Sequence, residues 1–293
     1  MNSSRVDFLR HSGIIATASM EQDLVATIPS SSPEEFSDAT AQRLLELGAF
    51  YGRTKRRTNP KMKEFVFTTR GEIEIIDVRC IASAMEKAKQ FVEEKAKSGA
   101  VFLLVATQPI AADAAKEFAA AVQCPFVQKR WIGGTLTNFK TISARVAHYI
   151  SLKEGFSSGA MEKYTKKERL YKEREMKKLG EILGGLESLH TLPDVVIVVD
   201  AVMHHIAVRE ANRQGIPVVA FSNTDANPDF IDYLVPGNSS SKQSVTWFLE
   251  ELRDAILRGR KSAPPVEHQD KNTPTATNND KTPQQEASTE IKI

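Results

Sequence analysis

Twelve consecutive positions, Gly52-Arg53-Thr54-Lys55-Arg56-Arg57-Thr58-Asn59-Pro60-Lys61-Met62-Lys63, hold six basic side chains and no acid. Like charges crowded into a short segment repel one another, and Gly52, Asn59 and Pro60 punctuate any helix there. The segment therefore reads as a loop that presents Arg53, Lys55, Arg56, Arg57, Lys61 and Lys63 to an anion. An arginine can grip two phosphate oxygens at once, a lysine adds point charge, and Asn59 can reach a sugar or a base edge. The blander alternative is a loop that only aids solubility.

A second candidate is Gln128-Lys129-Arg130-Trp131-Ile132-Gly133-Gly134-Thr135-Leu136-Thr137-Asn138-Phe139-Lys140, where two glycines and a threonine open a helix. A helix start gathers free N–H groups at the positive end of its dipole, and glycines let a phosphate approach closely. Lys129, Arg130 and Lys140 beside the aromatic Trp131 favour RNA over a nucleotide, with Thr135 and Asn138 as further contacts. Against this, Trp131 can simply pack in the core and Thr135 can simply cap its helix.

Signals for catalysis are thin. The chain has no Gly-x-Gly-x-x-Gly, no Gly-x-x-x-x-Gly-Lys-Ser/Thr and no Gly-x-Ser-x-Gly. Asp200 follows a strand end, with His204 and His205 just beyond and Asp225, Asp229 and Asp232 after the next strand, so a metal or nucleotide site is conceivable. Adjacent histidines on a helix point about 100° apart, which spoils a shared ligand face; a capping Asp200 and surface histidines explain the same residues. Cys80 and Cys124 are 44 positions apart and have no zinc-type spacing, so both read as buried small apolar residues. No metal and no cofactor is expected.

These segments need a frame to hold them. Short β-branched runs at Phe65-Val66-Phe67, Ile73 to Ile76, Val101 to Val105, Val195 to Val199 and Pro217 to Phe221 alternate with helical stretches at Ile81 to Lys97, Ala111 to Val122, His204 to Gln214 and Ser241 to Leu257. Val101-Phe-Leu-Leu-Val and Val195-Val-Ile-Val-Val are continuously apolar, which a strand requires only when helices cover both sheet faces. Gly99 and Gly215 sit where helices should stop. The pattern predicts an α/β fold, Rossmann-like (flavodoxin-like) and doubly wound, with a mainly parallel sheet. Between about Thr135 and Leu186 no strand signal occurs. Leu136, Phe139, Ile142, Val146 and Tyr149 form one apolar stripe, and Met161, Tyr164, Tyr171, Leu179, Ile182 and Leu186 another, with a turn at Gly155 to Gly159. This predicts an inserted antiparallel coiled-coil hairpin, whose residues 161–180 carry eight Lys or Arg and four acids.

The ends differ from this body. Residues 1–40 read as a flexible arm and 262–293, rich in Thr, Asn, Gln and Pro, as a disordered tail. The arm carries a net −4 and the tail −2; removing both from the total of +2 leaves +8 on residues 41–261, a balance suited to a polyanionic partner. No run is apolar enough to span a bilayer and residues 1–30 lack a secretory pattern, so a soluble, cytoplasmic protein without membrane contact is expected.

Read in order, Leu47-Gly-Ala-Phe-Tyr-Gly52, Asn59-Pro-Lys-Met62, Arg130-Trp-Ile-Gly-Gly-Thr-Leu-Thr-Asn-Phe-Lys-Thr141, Leu192-Pro-Asp194, Val198-Val-Asp200, Ala207-Val-Arg-Glu-Ala211, Gly215-Ile-Pro-Val-Val219, Ile231-Asp-Tyr233 and Val235-Pro-Gly-Asn238 resemble the S-two proteins of the small ribosomal subunit, bacterial type, over about Ala41 to Arg260. The resemblance implies a Rossmann-like domain with a projecting coiled-coil hairpin and no catalytic role. It further implies a seat on small-subunit ribosomal RNA beside other small-subunit proteins, including the mRNA-binding S-one protein where one exists. Phe50, Arg53 and Thr58 stand where the family commonly has two histidines and a tryptophan, and Ser222 to Asn238 is poorer in acids than is common there.

Overall fold

The computed structural model describes residues 38–262. The expected tail lies outside the described residues except for Ser262, and so does the expected arm except for 38–40, which are not loop but the first turn of helix α1, Asp38–Glu46.

The body is a five-stranded, wholly parallel sheet in the order β5-β4-β6-β7-β8, formed by β4 (Phe102–Val105), β5 (Phe126–Val127), β6 (Val195–Val199), β7 (Val218–Ser222) and β8 (Tyr233–Pro236). Every residue of β4, β6 and β7 is buried, and alternate residues go to opposite sides. Phe102, Leu104, Val195, Ile197, Val199, Val219 and Phe221 enter one core with helices α2 (Val78–Lys97), α3 (Ala112–Val122) and α7 (Lys242–Lys261). Leu103, Val105, Val196, Val198, Val218 and Ala220 enter a second core with α4 (Phe139–Ser157), the end of α5 (Lys166–Leu183) and α6 (His205–Arg213). Two cores are why these strands carry no polar alternation. The doubly wound α/β expectation is met, and its continuously apolar runs are the sheet centre.

Local chemistry sets most helix ends. Asp77 accepts the backbone N–H of Arg79 at 2.9 Å and starts α2. Thr165 and Glu168 form a reciprocal capping box that starts α5. Gly99 and Gly215 take the left-handed conformation where α2 and α6 stop, with φ of 75° and 68°.

Three strands lie outside the expected set: β1 (Tyr51–Thr54), β5 and β8. β1 joins β2 (Val66–Arg70) and β3 (Ile73–Ile76) in a small antiparallel sheet of order β1-β3-β2, whose β2–β3 turn places Gly71 and Glu72 at positive φ. Gly52 to Thr54 are thus strand rather than loop, and the segment after them closes as a 3-10 helix, Pro60–Phe65.

In the insertion, α4 continues to Ser157, so the turn falls at 158–165 and overlaps the expected Gly155 to Gly159 only at Ser158 and the left-handed Gly159. The first stripe is realised, with Leu136, Ile142, Val146 and Tyr149 buried. The second is realised only in part: Met161 and Leu186 are buried, whereas Tyr164 and Tyr171 are exposed. α4 meets the later part of α5 and the residues just beyond it, where the Tyr149 ring lies against Gly180, His148 faces Glu175 at 3.4 Å and Lys153 pairs with Glu187 at 2.9 Å. Cys124 is buried, which pushes its thiol up to about 12, while Cys80 is only half-buried.

Candidate nucleic-acid interface

The cationic segment is docked on the end of β7 by its backbone. Thr224, two residues past that strand, accepts the Arg53 N–H on its hydroxyl at 2.9 Å and the Asn59 N–H on its carbonyl at 2.8 Å. Thr58 adds a side-chain anchor: its hydroxyl hydrogen-bonds the buried Glu74 and lies 3.1 Å from that of Thr224. The Asn59 side chain accepts the N–H of Lys61 at 3.0 Å, capping the 3-10 helix, so its carbonyl oxygen serves the fold. Met62, fully buried, pins the helix from beneath.

This docking divides the six cations. Arg53 turns inward: its Nε donates to Asp225 at 3.3 Å, one terminal nitrogen donates to Ser240 at 2.8 Å, and the other lies 3.8 Å from Asp200. Its guanidinium is the counter-ion of two carboxylates and not a group held out to an external phosphate, which corrects the expectation for that residue. Burial pushes the Asp225 carboxyl above the usual range; Arg53 opposes this and the Asp200 charge adds to it. Lys61 is paired with Asp229. Lys55, Arg56, Arg57 and Lys63 remain exposed, with no carboxylate within ion-pair distance among the described residues.

The glycine-rich helix start does hold an anion, and the anion is internal. Glu210 of α6, 6% exposed, accepts the N–H groups of Gly134 at 2.8 Å, Leu136 at 3.0 Å and Thr137 at 3.3 Å, together with the Thr137 hydroxyl at 3.3 Å and the Trp131 indole N–H at 3.1 Å. Burial alone would raise this carboxyl, but the donors outweigh it and hold it below the usual glutamate range. The reading of this turn as a phosphate cradle is therefore corrected, and with it the assignments of Trp131, which is half-buried and bonded to Glu210, and Thr135, which is buried and donates to the Ile132 carbonyl at 2.6 Å. Lys129, Arg130, Asn138 and Lys140 remain exposed around it. Glu210 was legible in principle: between Ala207 and Ala211 it falls on the buried side of α6, where a carboxylate needs donors.

Three of the residues that could have made a metal or nucleotide site, Asp200, His204 and Asp232, are occupied in the same way. Asp200 accepts the N–H groups of Val202 and Met203 at 3.1 Å, the Gln108 amide at 2.8 Å and the Ser239 hydroxyl at 3.2 Å. His204 is buried rather than on the surface. Its Nδ1 faces the Asp200 carbonyl at 2.9 Å and so carries the proton; Nε2 is then the acceptor for Thr107, and burial lowers the affinity of the ring for a second proton. Asp232 accepts the Val218 N–H at 2.8 Å.

Two cationic segments lie at the carboxyl ends of the parallel strands. Lys129 and Arg130 follow β5, and the segment from Lys55 to Lys63 rests on the residues after β7. Those strands are three places apart in the sheet, roughly 14 Å at ~4.8 Å per strand.

The family described as Ribosomal protein S2 matches residues 44–259 of the chain. The "Small ribosomal subunit protein uS2" of a Nitratiruptor species is 41% identical over 221 residues, covering 75% of this chain and 83% of that protein. Its counterpart in Helicobacter hepaticus is 40% identical over 221 residues, covering 75% and 84%, and that of Thermus thermophilus is 38% identical over 223 residues, covering 76% and 87%.

Proposed function

The chain belongs to the ribosomal protein S2 family, and from that premise we propose that it is a structural constituent of the small subunit of the cytoplasmic ribosome, holding ribosomal RNA and neighbouring ribosomal proteins and making or breaking no bond. The observation that carries the RNA contact is a set of seven exposed cations, Lys55, Arg56, Arg57, Lys63, Lys129, Arg130 and Lys140, none of which has a carboxylate within ion-pair distance among the described residues. Lysines and arginines left in this state on a rigid frame are suited to displace counter-ions from phosphates. The exposed Asn138 stands beside them as a hydrogen-bonding group.

Protein neighbours find a different surface. Val202 and Phe230 line a groove of about 330 Å³ beside α6, with Met203 and Ile206 exposed nearby. An apolar rim of this kind suits a protein segment better than a phosphate, and it supports neighbours among the small-subunit proteins, the mRNA-binding S-one protein included where the cell has one. Of the groups a nucleotide or metal reading would use, the Gly134 N–H is committed to Glu210 and the Asp200 carboxylate to Gln108 and Ser239. Among the described residues no helix is long and apolar enough to cross a membrane.

Fractionation of a tagged full-length chain on a sucrose gradient tests the proposal. The chain is expected in the small-subunit fractions; a tagged chain that stays at the top of the gradient, in cells whose untagged copy has been removed, refutes it.

A further inference from the structure

One charged surface is not used by the interface described above. On α5, Lys167, Tyr171, Arg174 and Lys178 are spaced i, i+4, i+7 and i+11, which sets all four within about 60° of one another at 100° per residue. Leu183, the buried residue of this helix, lies on the opposite side and all four side chains are exposed, so they form an outward stripe about 16 Å long at ~1.5 Å per residue.

Several lysines on exposed helix faces of this protein are met by a neighbouring acid. Lys97 on α2 is met by Glu93 at 3.1 Å, Lys89 by Glu86 at 3.1 Å, and on the flank of α5 itself Lys177 is met by Glu173 at 2.7 Å. Of the four acids of α5, three are engaged elsewhere, Glu168 in the capping box, Glu173 with Lys177 and Glu175 facing His148, and the fourth, Glu181, forms no ion pair with the stripe. Lys167, Arg174 and Lys178 have no carboxylate within ion-pair distance among the described residues. Between them Tyr171 is 72% exposed, more than any other large apolar side chain in the described residues. The contrast with Tyr164 is direct, since Lys172 covers that ring at 3.6 Å.

We propose that this stripe is a second RNA contact, in which Lys167, Arg174 and Lys178 follow the phosphates of a strand while Tyr171 stacks on an unpaired base. A bare aromatic face between cations matches a base flanked by phosphates, whereas an acidic protein surface would engage the cations and leave the ring without a partner. The inference rests on the RNA-binding reading above and adds to it a separate element, a single-stranded RNA feature and a stacking residue.

The test measures binding of the full-length chain to small-subunit ribosomal RNA across a salt series. Replacing Lys167, Arg174 and Lys178 together by alanine is expected to reduce the slope of log affinity against log salt by about 2 to 3. Tyr171→Ala is expected to weaken binding about 5- to 150-fold at constant slope, with Tyr171→Trp restoring it, because one stacked base contributes roughly 1 to 3 kcal/mol. All four positions face outward on a helix that alanine favours, so an unchanged thermal midpoint accompanies these effects. A triple variant with wild-type slope overturns the proposal, as does a Tyr171→Ala variant that binds as tightly as wild type. Stripe variants that keep wild-type RNA binding but lose a neighbouring protein assign the surface to protein and overturn it too. If the unsubstituted chain shows no salt-dependent RNA binding, the function proposed above falls first and takes this inference with it.

Discussion

The carboxylate of Glu210 accepts a 2.8 Å hydrogen bond from the backbone N–H of Gly134, 76 positions earlier in the chain. The motif that most resembles a phosphate cradle is thereby filled from within. The helix start and its glycines serve to lock the α4 insertion to α6, and any RNA contact near it must come from the side chains around the turn.

Removing that carboxylate should be costly. Glu210→Ala leaves several backbone N–H groups and the Trp131 indole N–H without their acceptor, and each orphaned donor costs about 1 kcal/mol or more. A loss of about 3 kcal/mol is expected in urea unfolding; a loss below about 1 would show that water replaces the carboxylate. The depressed carboxyl contributes stability that is present above its unfolded-state value, near pH 4.3, and is lost as pH falls through its lower folded value. Glu210→Gln should therefore flatten the acid limb of stability against pH below about pH 4.5.

Arg53 and Asp225 give the opposite sign. A carboxyl raised in the folded state favours folding only when protonated, so its contribution is full below its unfolded-state value and is lost as pH rises through the folded one. At neutral pH the charge on Asp225 is tolerated because Arg53 is beside it. Arg53→Ala should cost about 2 kcal/mol at pH 7 and distinctly less near pH 4. Adding Asp225→Asn should recover part of the loss at pH 7, and equal costs at both pH values would refute the coupling.

The division of the cationic segment predicts a divided response to salt. Replacing Lys55, Arg56, Arg57 and Lys63 with alanine should lower the slope of log RNA affinity against log salt by about 3, at roughly 0.7 to 0.9 per phosphate contact. Arg53→Ala should leave that slope unchanged wherever it is still folded. If Arg53→Ala alone lowers the slope by a full contact, the inward ion pairs open on RNA and the division is wrong.

Gly259 tests the packing of the frame. A Cβ at this position would lie 2.4 Å from the Glu93 carbonyl oxygen of α2. Helix propensity alone favours alanine over glycine by about 1 kcal/mol, but separating two packed helices costs about 1 to 3. Gly259→Ala is expected to lower the thermal midpoint by several degrees; a raised midpoint would mean that the α2–α7 contact yields freely.

Much of the architecture could be read from the chain alone, because it is written in local terms. The all-apolar run Val195 to Val199 calls for a strand covered on both faces, and Gly99 and Gly215 stop helices because they enter the left-handed region without a Cβ clash. The short strands β1, β5 and β8 were not legible: two to four residues carry little periodicity, and they become strands only because a neighbour already in place supplies the hydrogen bonds. The same limit applied to the interface. Composition located the cationic segment, but whether a given cation is available to RNA depends on whether a carboxylate distant in sequence reaches it first. Asp225, 172 positions from Arg53, does so, and none of the described carboxylates comes within pairing distance of Arg56 or Arg57. Charge is a property of the residue, whereas its availability is a distance, and distances across the chain exist only once the sheet has brought its strand ends together.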